Sequence, residues 1–267
     1  MTKLIMLGTG HAMVTKYYNT CFLIENNNQY LLVDTGGGNQ ILEQLEKVSV
    51  NINQIHDVFI THNHIDHMVG LFWILRCVVR QIRAGKYDGN LNIYITKKNA
   101  KLVKDYILAI YKEYIGEFFD RRIFFIDIYD GMKLKVGGNY FEILDLHSLR
   151  CSQFGFKMTY DDNKTLSFFG DLPYNIDYNE QVHSSNYIIH EAFCLDSQKE
   201  IFKPHEKSHS TVKDACETAT KLNAKNIILV HTEDSNIQNR RELYIYEGKK
   251  YFEGNIYVPE DLEEINL

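Results

Sequence analysis

The sequence has few of the features that divide a long chain into separate units. Its 267 residues include only three prolines, and it shows no repeat, low-complexity tract or proline-rich linker. Hydrophobic residues make up 45% and charged residues 24% of the chain, which is enough for one large α/β core. We therefore predict a single domain over residues 1–267.

The cysteines are few, and their positions argue against two kinds of site. Their number is odd and none belongs to a Cys-x-x-Cys pair; they are Cys21, Cys77, Cys151, Cys194 and Cys216. We therefore expect neither a disulfide framework nor a thiolate zinc site. A reducing compartment fits such cysteine usage best.

Long apolar runs are also missing. The N-terminus reaches Gly8 after only four apolar residues, which is too short for the apolar region of a signal peptide. No later run is long enough to span a membrane. We predict a soluble cytoplasmic protein.

The charge is weakly acidic, with a net charge of −6 and a pI near 6.0, which speaks against a dedicated polynucleotide binder. Cations nevertheless recur three or four residues apart on two helix-like runs. They are Arg76, Arg80, Arg83, Lys86, Lys97, Lys98, Lys101 and Lys104. This pattern indicates either two solvated helix faces or a rim that steers phosphate towards the site described next.

Short apolar runs bounded by turn residues predict many strands, with helical runs between them. Helices are expected over about 67–84 and 98–115, and a closing hairpin around Tyr244–Phe252 and Asn255–Val258. Strands in clusters with helices at intervals favour two mixed sheets packed together, with helices outside.

The stretch from His62 to His67 packs three histidines and a carboxylate into six residues after a strand-like run. His62 and His64 are two residues apart, so on an extended segment their imidazoles leave the same face. Asp66 and His67 follow where the chain turns into a helical run, and they take another direction. One short loop could therefore supply ligands to two metal ions.

Three further residues complete a two-metal set. His147, Asp171 and His231 each follow the end of a strand-like run, and Gly170 allows close backbone approach beside Asp171. The two histidines would give each ion a third nitrogen ligand, and Asp171 would bridge the ions. Imidazole and carboxylate without thiolate favour zinc, with manganese or iron as alternatives.

This ligand set resembles the metallo-β-lactamase superfamily, in the His-x-His-x-Asp-His branch that builds a dinuclear site. Val33-Asp34-Thr35-Gly36 is similar to the early Asp-x-Gly motif of that superfamily. The resemblance implies an α+β fold, a four-layer αββα sandwich of two mixed sheets flanked by helices. It also implies that Asp34 orients the metal loop.

Two further motifs, His190-Glu191-Ala192 and His209-Ser210-Thr211, resemble the phosphodiesterase branch that includes ribonuclease Z. The run His147–Phe156 is similar to that branch as well. The resemblance implies that His209, oriented by Glu191, binds a phosphate oxygen or protonates the leaving group. Ser210 and Thr211 could alternatively serve only as a helix N-cap.

The resemblance also implies a mechanism and a set of partners. A hydroxide that bridges two ions would attack phosphorus, and Asp66 would bind one ion and orient the hydroxide proton. The gap between His147 and Asp171 is too short for the long arm with which ribonuclease Z grips tRNA. We therefore expect an anionic small-molecule or short-nucleotide substrate rather than long RNA. A homodimer and a lactone or thioester hydrolase of the same fold remain open alternatives.

Overall fold

The computed structural model describes residues 2–173 and 179–267. The helices in these residues are α1 (Gln40–Lys47), α2 (Ile65–Met68), α3 (Gly70–Arg83), α4 (Lys97–Tyr111), α5 (Asn179–Val182), α6 (Lys199–Phe202), α7 (Val212–Lys221) and α8 (Arg240–Gly248). The strands are β1 (Thr2–Gly8), β2 (Cys21–Asn26), β3 (Gln29–Val33), β4 (Ile55–Phe59), β5 (Leu91–Ile95), β6 (Ile123–Asp127), β7 (Lys133–Val136), β8 (Asn139–Asp145), β9 (Phe154–Tyr160), β10 (Lys164–Phe168), β11 (Tyr187–Glu191), β12 (Asn226–Val230), β13 (Asn255–Tyr257) and β14 (Glu264–Asn266).

The strands form two seven-stranded sheets of similar design. The first has the order β14-β1-β2-β3-β4-β5-β6, and the second has the order β13-β12-β11-β10-β9-β8-β7. In the first sheet the pairs from β14 to β3 are antiparallel, and the pairs from β3 to β6 are parallel. In the second sheet the pairs from β7 to β10 are antiparallel and those from β10 to β13 are parallel. Both sheets are therefore mixed, as predicted.

Each sheet buries both faces, and β1 shows how the sequence arranges this. Leu4 and Met6 point into the cluster between the sheets, whereas Ile5 and Leu7 point into the cluster beneath the outer helices. Successive side chains leave a strand on opposite faces, so an unbroken apolar run serves two cores. The layers are helix, sheet, sheet, helix, which confirms the predicted αββα sandwich.

The outer helices cover the sheets with one apolar face each. Helices α1, α3 and α4 pack on the first sheet, and α7 and α8 pack on the second. Helix α7 begins with a capping box, because the Thr211 hydroxyl accepts from the Asp214 N–H and the Asp214 carboxylate accepts from the Thr211 N–H. In the described part of the chain, no helix combines the length and the apolar character that a membrane span needs.

The predicted closing hairpin is wrong in its first arm. Its residues belong largely to helix α8, in which Tyr244, Glu247 and Gly248 are buried at helical spacing. A Cβ on Gly248 would lie 2.9 Å from Cys216 Sγ, so α8 closely approaches α7. The tyrosines of this segment favour strand locally, but packing against α7 overrides that preference. Strand β13 pairs with β12 in parallel instead of closing a hairpin.

Parallel pairing in the second sheet places its chemically active residues together. Strands β10, β11 and β12 are parallel neighbours, so their carboxyl ends lie at one edge. Asp171 follows β10, Glu191 ends β11, and His231 follows β12. Ligand sites of open α/β sheets commonly lie at this edge.

Candidate metal centre

The histidine-rich loop connects β4 to helix α3 and folds into a compact group of rings. The His62 ring centroid lies 4.4 Å from that of His64 and 4.3 Å from that of His67. His62 and His67 are fully buried, whereas the His64 side chain is 48% exposed. Helix α2 begins directly after His64, so Asp66 and His67 leave the loop in a new direction, as the sequence predicted.

Asp171 lies between the two ends of this loop. Its Oδ1 is 3.6 Å from His62 Nε2, and its Oδ2 is 3.5 Å from His67 Nε2. The same Oδ2 lies 4.0 Å from His64 Nδ1 and 3.7 Å from His231 Nε2. A single carboxylate thus faces nitrogen atoms from both halves of the chain.

A second group forms around Asp66. Its Oδ2 is 3.3 Å from His67 Nε2 and 3.5 Å from His231 Nε2. In both this group and the group of His62, His64 and Asp171, the potential ligand atoms lie within 4.8 Å of one another. The structure therefore brings six of the seven predicted ligands together in two adjacent groups.

The chemistry of these groups fits metal ions. Among the described residues, no group hydrogen-bonds to His62 Nε2 or His67 Nε2, although both nitrogens are fully buried. A buried polar atom without a partner is costly, and a bound cation would remove that cost. Imidazole nitrogens and carboxylate oxygens are ligands that zinc accepts.

His147 is the one predicted ligand that the structure does not bring into these groups. Its side chain is 57% exposed, and its Nδ1 lies 3.8 Å from Asp145 Oδ1. The His147 backbone has a φ of 49°, and its N–H donates to the same Asp145 oxygen at 2.8 Å. The role of His147 as a ligand therefore stays a prediction.

Asp34 supports the metal loop from beneath, as predicted. Its carboxylate accepts hydrogen bonds from the Thr61 N–H at 2.9 Å and the Thr61 hydroxyl at 2.8 Å. It also lies 2.8 Å from His67 Nδ1, so that nitrogen is a donor and Nε2 is left for a metal. Burial raises the pKa of Asp34, and the His67 charge and these hydrogen bonds act in the opposite direction.

The cluster shifts the pKa values of its members in opposite directions. Burial alone would raise the pKa of Asp66 and Asp171, but the surrounding histidines lower both below the usual range. Burial lowers the pKa of His62 to about 3. His231 is also buried, but Asp66, Glu191 and Asp171 raise its pKa to about 9. Both carboxylates are therefore ionised and available as ligands.

Glu191 and His209 form a hydrogen-bonded pair beside the cluster. His209 Nδ1 lies 2.7 Å from Glu191 Oε2, and the Ser210 N–H donates to Glu191 Oε1 at 2.7 Å. Glu191 is fully buried, and its Oε2 also lies 3.7 Å from His231 Nδ1. His209, His231 and Asp171 have potential ligand atoms within 4.8 Å of one another. Thr211 is the N-cap of helix α7, as the alternative interpretation predicted, whereas the Ser210 backbone N–H is hydrogen-bonded to Glu191.

Gln153 is a residue of the site that sequence reasoning missed. It is fully buried, and its amide donates to Asp171 Oδ1. Gly170 has a φ of 64°, and a Cβ there would lie 2.5 Å from Gln153 Nε2. The predicted need for glycine beside Asp171 is thus explained by the approach of this amide. Position in the run His147–Phe156 was the only signal that could have indicated Gln153.

Four of the eight cations on the predicted helical runs have partners of their own among the described residues. Arg76 lies over the Tyr111 and Tyr114 rings, and Arg83 lies over the Tyr114 and Phe118 rings. Ion pairs join Arg83 to Glu117, Lys101 to Asp105 and Lys104 to Asp120. These contacts favour the reading as solvated helix faces over a phosphate-steering rim.

Comparison with known proteins agrees with this geometry. Ribonuclease Z of Thermococcus sibiricus is 24% identical over an alignment of 307 positions, which covers 100% of this chain and 97% of that enzyme. The anti-Pycsar protein Apyc1 of Bacillus phage vB_BsuM-Goe3 is 38% identical over 71 residues, or 26% of this chain and 27% of the phage protein. The predicted resemblance to ribonuclease Z is confirmed.

The same fold occurs in YhfI from Bacillus subtilis, a metallo-β-lactamase fold protein. The two structures superpose with a TM-score of 0.80 at 16% identity, over 99% of this chain and 98% of YhfI. The family model described as anti-Pycsar protein Apyc1 matches residues 2–249 of the chain. With the metallo-β-lactamase fold and a match over most of its length, the chain belongs to the family of the anti-Pycsar protein Apyc1.

Proposed function

We propose that this chain is a metal-dependent phosphodiesterase that hydrolyses small or short phosphodiesters. The observation that supports this most is the Glu191–His209 pair, hydrogen-bonded at 2.7 Å beside the ligand cluster. Phosphodiester cleavage builds negative charge on the phosphoryl oxygens and on the leaving oxygen. A positioned imidazole can offset that charge or supply the proton.

The pair is arranged so that His209 acts and Glu191 holds it in place. The buried carboxylate takes hydrogen bonds from the His209 ring and from the Ser210 backbone, which fixes its position. Because His209 Nδ1 is engaged, Nε2 is the atom left to act on substrate. The protonated ring would donate from Nε2 to a phosphoryl oxygen or to the leaving oxygen.

Two divalent ions, zinc with manganese or iron as alternatives, would supply a Lewis acid and an activated water when bound. The proposed ligands are His62, His64, Asp66, His67, His147, Asp171 and His231. Asp66 has a second task, because its ionised carboxylate would orient the proton of the attacking water. Glu191 Oε2, 3.7 Å from His231 Nδ1, would orient that ligand as well.

The proposed substrate is anionic and small, or a short nucleotide. A relative over nearly the full length is a ribonuclease, which supports phosphodiester chemistry. The short connection from His147 to Asp171 leaves no room for a long arm, and the net charge is −6. Both features disfavour a long polyanion, because affinity for such a ligand depends on many cationic contacts.

The proposal is tested by turnover of bis(p-nitrophenyl) phosphate, a lactone and a thioester by metal-free protein reloaded with zinc or manganese. The variant His209→Ala should keep its metal content and lose about 10²–10⁴ in phosphodiester turnover. His205→Ala is the matched control, because His205 also pairs with a carboxylate, Asp214, at 2.7 Å and lies outside the ligand groups found among the described residues. That control should keep wild-type turnover.

The same comparison separates the alternative function. Cleavage of the lactone or thioester without the phosphodiester would replace the proposal with a carboxyl-ester hydrolase. Equal phosphodiester turnover by wild type and His209→Ala would show that the Glu191–His209 pair does not take part in catalysis, and the proposal would lose its main support.

We also propose that two copies associate through α4. Leu102, Tyr106 and Ile110 follow one another at helical spacing, and each is about half exposed. Trp73 of α3 lies in the same groove. Aromatic residues contribute on the order of 100 Å² each when half covered, so this stripe could form the apolar centre of a dimer interface. Light scattering should show a dimer for the wild type and a monomer for Tyr106→Glu.

For the cellular location we propose the cytoplasm. All five cysteines carry free thiols, including the half-buried Cys77 and Cys151, and free thiols persist best in a reducing compartment. Recovery of the tagged protein in the cytosolic fraction would agree with this location, and recovery from the medium would contradict it.

A further inference from the structure

Four aromatic rings form a closed group at one side of the metal centre. The His231 ring centroid lies 5.2 Å from that of His209 and 6.1 Å from that of His11. The Phe193 centroid lies 5.0 Å from His209 and 4.4 Å from His11. Phe193 is therefore a shared support for two histidines that both neighbour a metal ligand. One of the two, His209, has a proposed role, and the other, His11, has none so far.

The backbone of Phe193 holds that support in place. Its N–H donates to the Ser210 carbonyl at 2.8 Å, and its carbonyl accepts from the Glu233 N–H at 2.8 Å. The ring is buried and lies nearly parallel to His209, at 15°. A fixed ring limits the rotamers of the side chains that pack on it.

His11 is fixed as firmly, although it lies in the loop after β1. Its N–H donates to the Thr232 carbonyl at 3.1 Å, one residue beyond His231, and its carbonyl accepts from the Asn19 amide at 3.0 Å. The two histidines at positions 11 and 231 are thereby tied together through adjacent backbone. The His11 ring is only partly buried, so solvent and solutes can reach it.

The hydrogen bonds of His11 select one tautomer. The Met13 N–H lies 3.3 Å from His11 Nδ1, so Nδ1 accepts and the proton of the neutral ring is on Nε2. Within the part of the chain that the structure describes, no side chain or backbone group is hydrogen-bonded to Nε2. His11 is also outside the three ligand groups found among the described residues. It therefore carries an N–H donor on a ring whose centroid lies 6.1 Å from that of His231, and it is not one of the candidate metal ligands.

We propose that His11 is a substrate-binding residue, which donates its Nε2–H to a phosphoryl oxygen of an anionic substrate held at the metal centre. This assignment rests on the proposed phosphodiesterase function. His209, oriented by Glu191, would stabilise the charge that develops in the transition state, from one side of Phe193. His11 would bind the anionic substrate in the ground state, from the other side. The competing explanation is that His11 only packs against Phe193.

Two substitutions separate these explanations. His11→Phe keeps an aromatic ring on Phe193 and removes the donor, whereas His11→Gln keeps a donor and removes the ring. For the zinc-loaded protein, we expect His11→Phe to raise KM for bis(p-nitrophenyl) phosphate by about 10- to 100-fold, the range for a hydrogen bond to a charged group. The kcat and the zinc content should stay close to wild type, and His11→Gln should recover most of the loss in KM.

His56→Phe is the matched control. His56 is also partly buried and packs on an aromatic ring, that of Tyr87 at 4.8 Å, but it belongs to β4 and its Nδ1 lies 3.1 Å from the Asn90 carbonyl. This variant should leave KM unchanged. If His11→Phe kept the wild-type KM, His11 would be only a packing residue. The same would follow if His11→Phe had a KM closer to wild type than His11→Gln. Loss of zinc from His11→Phe would likewise overturn the proposal, because the residue would then serve His231.

A binding measurement distinguishes failure of this inference from failure of the proposed function. Inorganic phosphate is titrated calorimetrically into zinc-loaded wild type, His11→Phe and His11→Gln. Weaker phosphate binding only in His11→Phe supports the donor role even if the wild type cleaves no phosphodiester. Equal phosphate affinity in all three proteins, with normal phosphodiester turnover by the wild type, overturns the role of His11 and leaves the proposed function intact.

Discussion

The two halves of the chain supply the candidate metal centre in different ways. The first half provides four potential ligands from one short loop, His62 to His67, between β4 and α3. The second half provides single residues, Asp171, Glu191 and His231, each from the end of a different strand. A contiguous loop carries much of its geometry in its own backbone. Single residues meet only because parallel strands place their carboxyl ends at one edge.

The largest effect is expected where the halves meet. Asp171 faces His62 and His67 of the first half and His231 of the second. Asp171→Ala should therefore lose at least one metal ion and reduce phosphodiester turnover to background. Metal content is measured by elemental analysis after dialysis, with the exposed Asp162→Ala as control. Retention of two tightly bound ions would show that the halves do not share this ligand.

The supporting residues sharpen the comparison. In the first half Asp34 bonds Thr61 twice and His67 once, whereas in the second half Gln153 bonds Asp171 once. Loss of such a support typically costs about 10- to 100-fold in metal affinity. We expect the loss of zinc affinity to be at the upper end of this range for Asp34→Ala and at the lower end for Gln153→Ala. Zinc affinity is measured by competition with a chelator. The reverse order would mean that the first-half loop holds its geometry without Asp34.

A smaller effect is expected from the different protonation states of two candidate ligands, His62 and His231. Burial lowers the pKa of His62 to about 3, so this ring is neutral at pH 7. Burial also disfavours the charge of His231, but nearby carboxylates raise its pKa to about 9, so this ring is protonated in metal-free protein at pH 7. Zinc must displace that proton, so affinity should increase as pH rises towards about 9.

Calorimetry in two buffers of different ionisation enthalpy should show release of about one proton or more at pH 7. Histidine resonances of the metal-free protein should place the titration of His231 well above that of His62. If both rings titrated together, the electrostatic difference between these two positions would be absent.

The smallest effect is expected at the start of α7. Thr211 caps this helix directly after His209 and Ser210, so it fixes the second-half segment without touching the ligand groups. Thr211→Ala should lower the free energy of unfolding by about 1 kcal/mol, measured in urea, with turnover within twofold of wild type. A large loss of turnover at unchanged stability would instead show that the cap sets the position of His209.

The sequence-based predictions succeed for local features and fail where contacts between distant residues decide the structure. The helices expected over about 67–84 and 98–115 are found as α3 (Gly70–Arg83) and α4 (Lys97–Tyr111), and the metal loop is predicted with its change of direction at α2. These are local features, set by hydrophobic period and by turn chemistry. The first arm of the closing hairpin is predicted wrongly, because the tyrosines of α8 favour strand locally whereas packing against α7 stabilises a helix. His147 has the expected position after β8, with a φ of 49°, and its role as a ligand stays a prediction.

The sequence by itself determined the kind of ligands, their grouping in the loop and the layered fold, because residue chemistry and hydrophobic period are local properties. Only the tertiary structure decided which distant residues meet. It places Asp171 between the two ligand groups, Gln153 against Asp171, and His11 and Phe193 beside His231. Such contacts join residues more than two hundred positions apart, such as His11 and His231. They depend on sheet register and close packing, which no short stretch of sequence specifies.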